Sequence, residues 1–214
     1  ITAIAKYNFT ELGREIINDS MDIVGGAGIS RGPRNIFAHS YIATPIAITV
    51  EGANILTRTL MIFGQGAIRS HPYALKEINA LMDKDVKAFD EAFTSHLGHV
   101  VKNMSRSLLL TLTRGRLASA PSGGPAAKYY RKLAWASASF AFMSDIALGS
   151  YGGALKMKEK LAGRYADILS WMLLATATLR RFEAEGRREE DRIFFEWSMQ
   201  HAFYRIQTAF DEIY

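Results

Sequence analysis

The 214-residue chain contains no cysteine. This removes disulfides, thiolate nucleophiles, iron–sulfur clusters and cysteine-held zinc from its chemistry, and with them any secreted disulfide scaffold. No run approaches the roughly 18–20 uninterrupted apolar residues that cross a bilayer, and no basic-then-apolar leader opens the sequence. The expectation is a soluble, cytoplasmic protein in a reducing compartment. Alternating apolar and polar strand patterns are nearly missing, and only five prolines interrupt the chain. What is present is an ordinary globular balance, 49% apolar and 22% charged, enough to bury a core and incompatible with disorder. The chain begins at Ile1 inside a helical pattern, so it is expected to be a piece of a longer polypeptide.

Apolar residues recur at three and four spacings through most of the chain, which predicts an all-α protein. A first helix over 6–23 carries Leu12, Ile16, Ile17 and Met21 on one face and stops at Gly25-Gly26-Ala27-Gly28. A loop punctuated by Gly32-Pro33 follows, then a short helical or irregular piece over about Arg34 to Tyr41, and Thr44-Pro45 starts another turn. A helix over 53–63 precedes Gly64 and Gly66, and His71-Pro72 marks the predicted boundary between two domains, 1–72 and 73–214. Beyond it Val86, Phe89, Phe93, Leu97, Val100, Met104, Leu108 and Leu112 form the stripe of a long packed helix. Pro121-Ser122-Gly123-Gly124-Pro125 ends it, and further helices over 126–149, 154–185 and 188–214 complete a predicted up-and-down four-helix bundle. Trp135, Trp171 and Trp197 fall one per helix and are expected as core anchors.

The net charge of +5 is unevenly spread. Between Val101 and Arg164 there are 11 basic residues and two acids, Asp145 and Glu159, whereas from Tyr165 onward acids lead nine to six. Such a centre suits an anionic membrane surface or a phosphorylated ligand. Nucleic acid is not expected, because no helix-turn-helix, zinc-finger or RNA-binding pattern accompanies it. His96 and His99 are an i, i+3 pair without an acidic partner at metal spacing, so no metal is expected. Gly123-Gly124 lacks the Gly-Lys-Ser/Thr ending of a nucleotide loop.

Two short stretches carry chemistry. In 21–30, glycines leave a helix end with little side-chain cover, so backbone amides can approach a pyrophosphate, although a plain helix stop reads the same way. In 49–58, Glu51 is a single carboxylate after the apolar run Ile46-Ala47-Ile48 and Val50, immediately before a helix. That is the residue type and setting for removing a weakly acidic proton, or simply an exposed acid at a helix start.

The strings Ala47-Ile-Thr-Val-Glu-Gly-Ala-Asn-Ile-Leu-Thr-Arg58, Met61-Ile-Phe-Gly-Gln-Gly-Ala67 and His71-Pro-Tyr73 resemble the C-terminal helical domain of the acyl-coenzyme A dehydrogenases. The likeness is to the long bacterial members that serve fatty acid β-oxidation. Leu112-Thr-Arg-Gly115 and Gly152-Gly-Ala-Leu-Lys156 are similar to the extra C-terminal helical region of those members, so the likeness covers essentially the whole chain. It implies that residues 1–72 end a catalytic helical domain and 73–214 are an added bundle. It also implies an FAD-dependent dehydrogenase that introduces the α,β double bond into fatty acyl-CoA, with Glu51 as the base and its backbone N–H as a donor to the thioester oxygen. Gly52 and Val50 would border the substrate, and Gly25, Gly26 and Gly28 would approach the flavin dinucleotide of a neighbouring subunit. The implied partners are further copies of the chain and an electron-transfer acceptor protein, and the basic centre adds an anionic face of the inner membrane. Without its flavin domain the fragment is expected to be inactive alone. Asp22, Ala53 and Ile55 depart from the family pattern at flavin contacts. The competing reading is a non-catalytic helical interaction bundle or a membrane-surface module.

Overall fold

The computed structural model describes residues 1–213, and the described residues are helices joined by turns and loops, without strands. Helix α1 (Thr2–Val24) ends where Gly25 turns left-handed at φ 58°, and a 3-10 turn (Gly25–Ile29) follows. Helix α2 (Ala38–Thr49) runs straight through Pro45, so the turn expected at Thr44-Pro45 does not form. Asn35 supplies its start: its Oδ1 accepts from the N–H groups of Phe37 and Ala38, while its Nδ2 donates back to the Gly28 carbonyl.

The helix expected over 53–63 is a compound element. A single α-turn, α3 (Asn54–Leu56), passes into a π-helix (Thr57–Gly64), and α4 (Gly66–Ser70) follows. The π-helix buries Thr57, Thr59, Ile62 and Phe63. Arg58 forms a bidentate pair with Asp167 of α8 (Glu159–Ala184), Nε donating at 2.8 Å to Oδ1 and Nη2 to Oδ2. Gly163 makes this possible, since a Cβ there would lie 2.8 Å from the Arg58 guanidinium.

Helix α5 (Ala74–Met82) is separated from α6 (Val86–Leu112) by a break at Lys84, φ 56°, after which the Asp85 carboxylate caps α6 by accepting from Ala88 N–H at 3.0 Å. Gly115, left-handed at φ 76°, permits close approach to α7 (Ala127–Tyr151), because a Cβ would stand 3.2 Å from the Arg131 carbonyl. Helix α9 (Arg192–Asp211) completes the chain, and α6 to α9 each pack on the next.

Two adjoining cores hold the fold. One lies among α7, α8 and α9, where Ile168, Met172 and Leu179 meet Met199 and Ile206, and Phe182 stacks on Phe195 at 4.0 Å. The other joins the two ends of the sequence: Ile4, Ile62 and Phe63 pack against Leu155, Ala162 and Tyr165. Phe63 stacks on Tyr165 with ring centroids 4.5 Å apart, so the segment before Pro72 is seated on the bundle.

Two packing expectations are corrected. Trp171 is a core anchor, but Trp135 is half-buried, donating to Thr111 Oγ1, and Trp197 is exposed, stacked on His201. The α6 stripe is also reversed. The face packed inward carries Ala92, Asn103, Ser107 and Leu110, while most of the expected stripe faces solvent. Polar pairing across α6 and α7 selects that inward face: Ser107 donates to Ser139, and Asn103 Nδ2 approaches Asp145 Oδ2 at 3.4 Å.

Candidate functional site

Glu51 sits in the tight connection between α2 and α3, and the turn is built by side chains from α1. The backbone of Glu51 is left-handed at φ 57°, a conformation that costs a non-glycine residue energy and needs support, and Gly52 follows at φ 85°, which glycine adopts freely. Lys6 supplies that support. Its Nζ donates to the Gly52 carbonyl at 2.8 Å and to Asn54 Oδ1 at 2.6 Å, and lies 3.5 Å from the Ile48 carbonyl at the end of α2, where a cation complements the helix dipole. Asn54, buried, turns its amide to Thr10 Oγ1 at 2.9 Å and Glu11 Oε1 at 2.8 Å. Lys6, Thr10, Glu11 and Asn54 therefore form one network that fixes the Glu51 turn. Asn54 stands inside the string that carries the family resemblance, but Lys6, Thr10 and Glu11 belong to no motif, and nothing local in the sequence joins them to the turn.

The Glu51 side chain itself is exposed, on a surface that also presents Ile42, Ile46, Val50 and Ile55. Gly52, half-buried, is the residue whose left-handed turn brings the chain back into α3. Gly25 and Gly26 are exposed, with open space where their Cβ atoms would be, so their backbone is free for close approach by a dinucleotide. Gly28 differs: it is buried, and a Cβ would lie 3.0 Å from both the Met21 carbonyl and Val24 Cγ2. Its need for glycine is met by packing within the chain. The open part of the turn leaves its backbone accessible; Glu51 and the glycines lie on separate connections, joined through α1 and α2.

A second constellation was missed in the sequence because its members are distant along the chain. His71 Nε2 lies 2.9 Å from Asp145 Oδ1, His96 Nδ1 lies 2.7 Å from Glu77 Oε1, and His99 Nε2 pairs with Asn103 at 2.8 Å. His96 thus has the acidic partner that local spacing did not reveal. Burial depresses the His99 pKa below its usual value, with Asp145 opposing the shift and His71, His96 and Lys102 reinforcing it. Donor atoms of His71, His96 and Asp145 all fall within 4.8 Å of one another. The hydrogen bonds nevertheless argue against a metal there. His71 Nδ1 accepts from the backbone N–H groups of Tyr73 and Ala74, at 3.2 and 3.0 Å, which puts the ring proton on Nε2 facing Asp145. A metal on Nε2 would move that proton to Nδ1, against two donors, the reverse of the usual arrangement around a metal-bound histidine. The cluster is a clamp that caps α5 and ties it to α7. Beside it lies a cavity of about 340 Å³ lined by Phe63, Phe140, Leu169 and Met172.

No solved structure matches the chain. The family described as acyl-CoA dehydrogenase, C-terminal, bacterial type matches residues 68–214, a span that includes the histidine clamp and α6 to α9 and leaves the Glu51 turn outside it. On that match, over more than two thirds of its length, the chain belongs to the bacterial-type acyl-CoA dehydrogenase C-terminal family.

Proposed function

We propose that the chain is part of an FAD-dependent dehydrogenase that introduces the α,β double bond into fatty acyl-CoA during β-oxidation, with residues 1–72 ending the catalytic helical domain and 73–214 forming an added bundle. The observation that carries this reading is the Glu51 turn: a carboxylate held out by a dedicated network, in the sequence string that resembles the family's catalytic one and upstream of the matched region.

In this reading Glu51 accepts the proton from the α-carbon of the thioester. The surrounding Ile46, Val50 and Ile55 are the apolar surface against which an acyl chain and the rest of the enzyme would close, excluding the water that would compete for the base. The Glu51 backbone N–H is the candidate donor to the thioester oxygen, where negative charge develops as the proton leaves. A bound flavin would supply the acceptor for the hydride lost from the β-carbon. Lys6 and Asn54 position the carboxylate by holding both ends of its turn. Gly25 and Gly26, and less directly Gly28, would meet the dinucleotide of a neighbouring copy in a homo-oligomer, and an electron-transfer acceptor protein would reoxidise the enzyme. Exposed Lys128, Arg131 and Lys132 at the start of α7 would hold the protein at an anionic face of the inner membrane, although Tyr129 beside them is core and cannot reach a headgroup.

Glu51→Gln in the complete enzyme keeps shape and removes basicity. Turnover should fall at least ~10²-fold with flavin retained; near-normal turnover would overturn the assignment.

A further inference from the structure

We infer that the outward face of α6 is the seam of a two-fold dimer in which the α6 helices of two copies pair antiparallel. The inference rests on α6 and is independent of the catalytic reading. Val86, Phe93, Leu97, Val101, Met104, Leu108 and Leu112 are 44–76% exposed, and they succeed one another at spacings close to the seven-residue repeat of paired helices. Seven such side chains on one solvent-facing stripe are not scattered surface apolars. They offer several hundred Å² on each copy, approaching the ~800 Å² per partner of a standard interface. The 27 residues of α6 make a seam about 40 Å long, which a second long helix matches and a compact ligand does not.

Charge says which partner and which direction. The acidic end of the seam, residues 83–91, has Asp83, Asp85, Asp90 and Glu91 against Lys84 and Lys87, a net −2. The other end, residues 102–116, has Lys102, Arg106, Arg114 and Arg116 with no acid, a net +4; Lys102 and Arg106 lie off the stripe itself, and Arg114 and Arg116 follow the end of α6. All ten side chains are exposed. An antiparallel pair of copies sets each acidic end beside the partner's basic end, twice, whereas a parallel pair stacks like charge on like. Asp90 lies within the stripe itself and in this arrangement comes opposite the region of Arg114. An anionic membrane would be met by the same stripe with its acids at one end, an unfavourable fit there.

The absence of native cysteine makes the test direct. With the two-fold near Val101, the two copies of that residue meet, while the two copies of Val86 lie about 45 Å apart at opposite ends of the seam. Val101→Cys should therefore be joined into a covalent dimer by a short bis-maleimide, and Val86→Cys should not. Analytical ultracentrifugation of the unmodified 214-residue chain should show a dimer, and Val101→Glu, which puts two buried charges face to face, should weaken it at least ~10²-fold with helicity unchanged by circular dichroism. Cross-linking of both cysteine variants would indicate a parallel pair and overturn the arrangement. A chain that stays monomeric to about 100 µM, whether or not it binds anionic vesicles through this stripe, would overturn the dimer.

Discussion

Phe63 joins the π-helix to the bundle, and its truncation measures whether the two parts of the chain are one cooperative unit. It is 1% exposed, stacked on Tyr165 at 4.5 Å and set edge-on to Phe140 at 5.9 Å. Phe63→Ala removes a fully buried ring, which costs about 3–5 kcal/mol including the cavity left behind, and the lost ring pairs place it in the upper half of that range. We take about 4 kcal/mol. With a urea slope of about 2.5 kcal/mol/M for a chain of this size, the unfolding midpoint should drop by roughly 1.5 M. Phe63→Leu keeps most of the apolar volume and should cost less than half as much. Helicity by circular dichroism and tryptophan fluorescence, which reports Trp135, Trp171 and Trp197 in the bundle, should shift together. A loss under about 1 kcal/mol, or a fluorescence transition that stays in place while part of the helicity melts early, would refute a shared core.

Asn54→Ala removes the side-chain contacts of Lys6, Thr10 and Glu11 with Asn54, leaving Lys6 on the Gly52 and Ile48 carbonyls, and should cost about 1–3 kcal/mol by chemical denaturation; a change under ~0.5 kcal/mol would show the network to be dispensable. The depressed pKa of His99 gives a pH dependence of stability. The unfolded residue, titrating near its ordinary 6.5, takes up a proton more readily than the folded one, so stability is full above that value and is lost as pH falls below it. Melting temperatures of the wild type should therefore fall between pH 7 and 5 more steeply than those of His99→Gln, and parallel curves would contradict the assignment.

Much of this architecture is legible in the sequence where glycine and proline do the punctuating. The end of α1 at Gly25 and the junctions at Gly152 and Gly186 lie at or within a few residues of where composition puts them, and Pro121 to Pro125 fall in the connection between α6 and α7, although α6 already ends at Leu112, before the left-handed turn at Arg114 and Gly115. Pro45 misleads because its missing N–H costs one helical bond, and the surrounding apolar residues continue the helix regardless. The π-helix is invisible to periodicity, since its extra residue per turn is set by how Arg58 and Phe63 dock on α8. The α6 stripe shows the deeper limit. Periodicity reveals that a helix has an apolar face but not whether its own chain covers that face, and here Asn103 and Ser107 turn inward instead. In the candidate site, Glu51 and the glycines are found through local strings, whereas Lys6, Asn54 and the His71–Asp145 clamp come together only through tertiary contacts 42–74 residues apart.

Transfer of the α-proton to Glu51 is the central claim, and it can be separated from the redox step. An acyl-CoA that carries α-hydrogens but no β-hydrogen can lose a proton to the base yet cannot pass hydride onward. Incubated in deuterium oxide with the complete flavin-loaded enzyme and followed by mass spectrometry, it should gain deuterium at the α-carbon. With Glu51→Gln the rate should fall at least ~10²-fold, towards the uncatalysed exchange. Equal deuterium incorporation by the variant and the wild type would contradict the account.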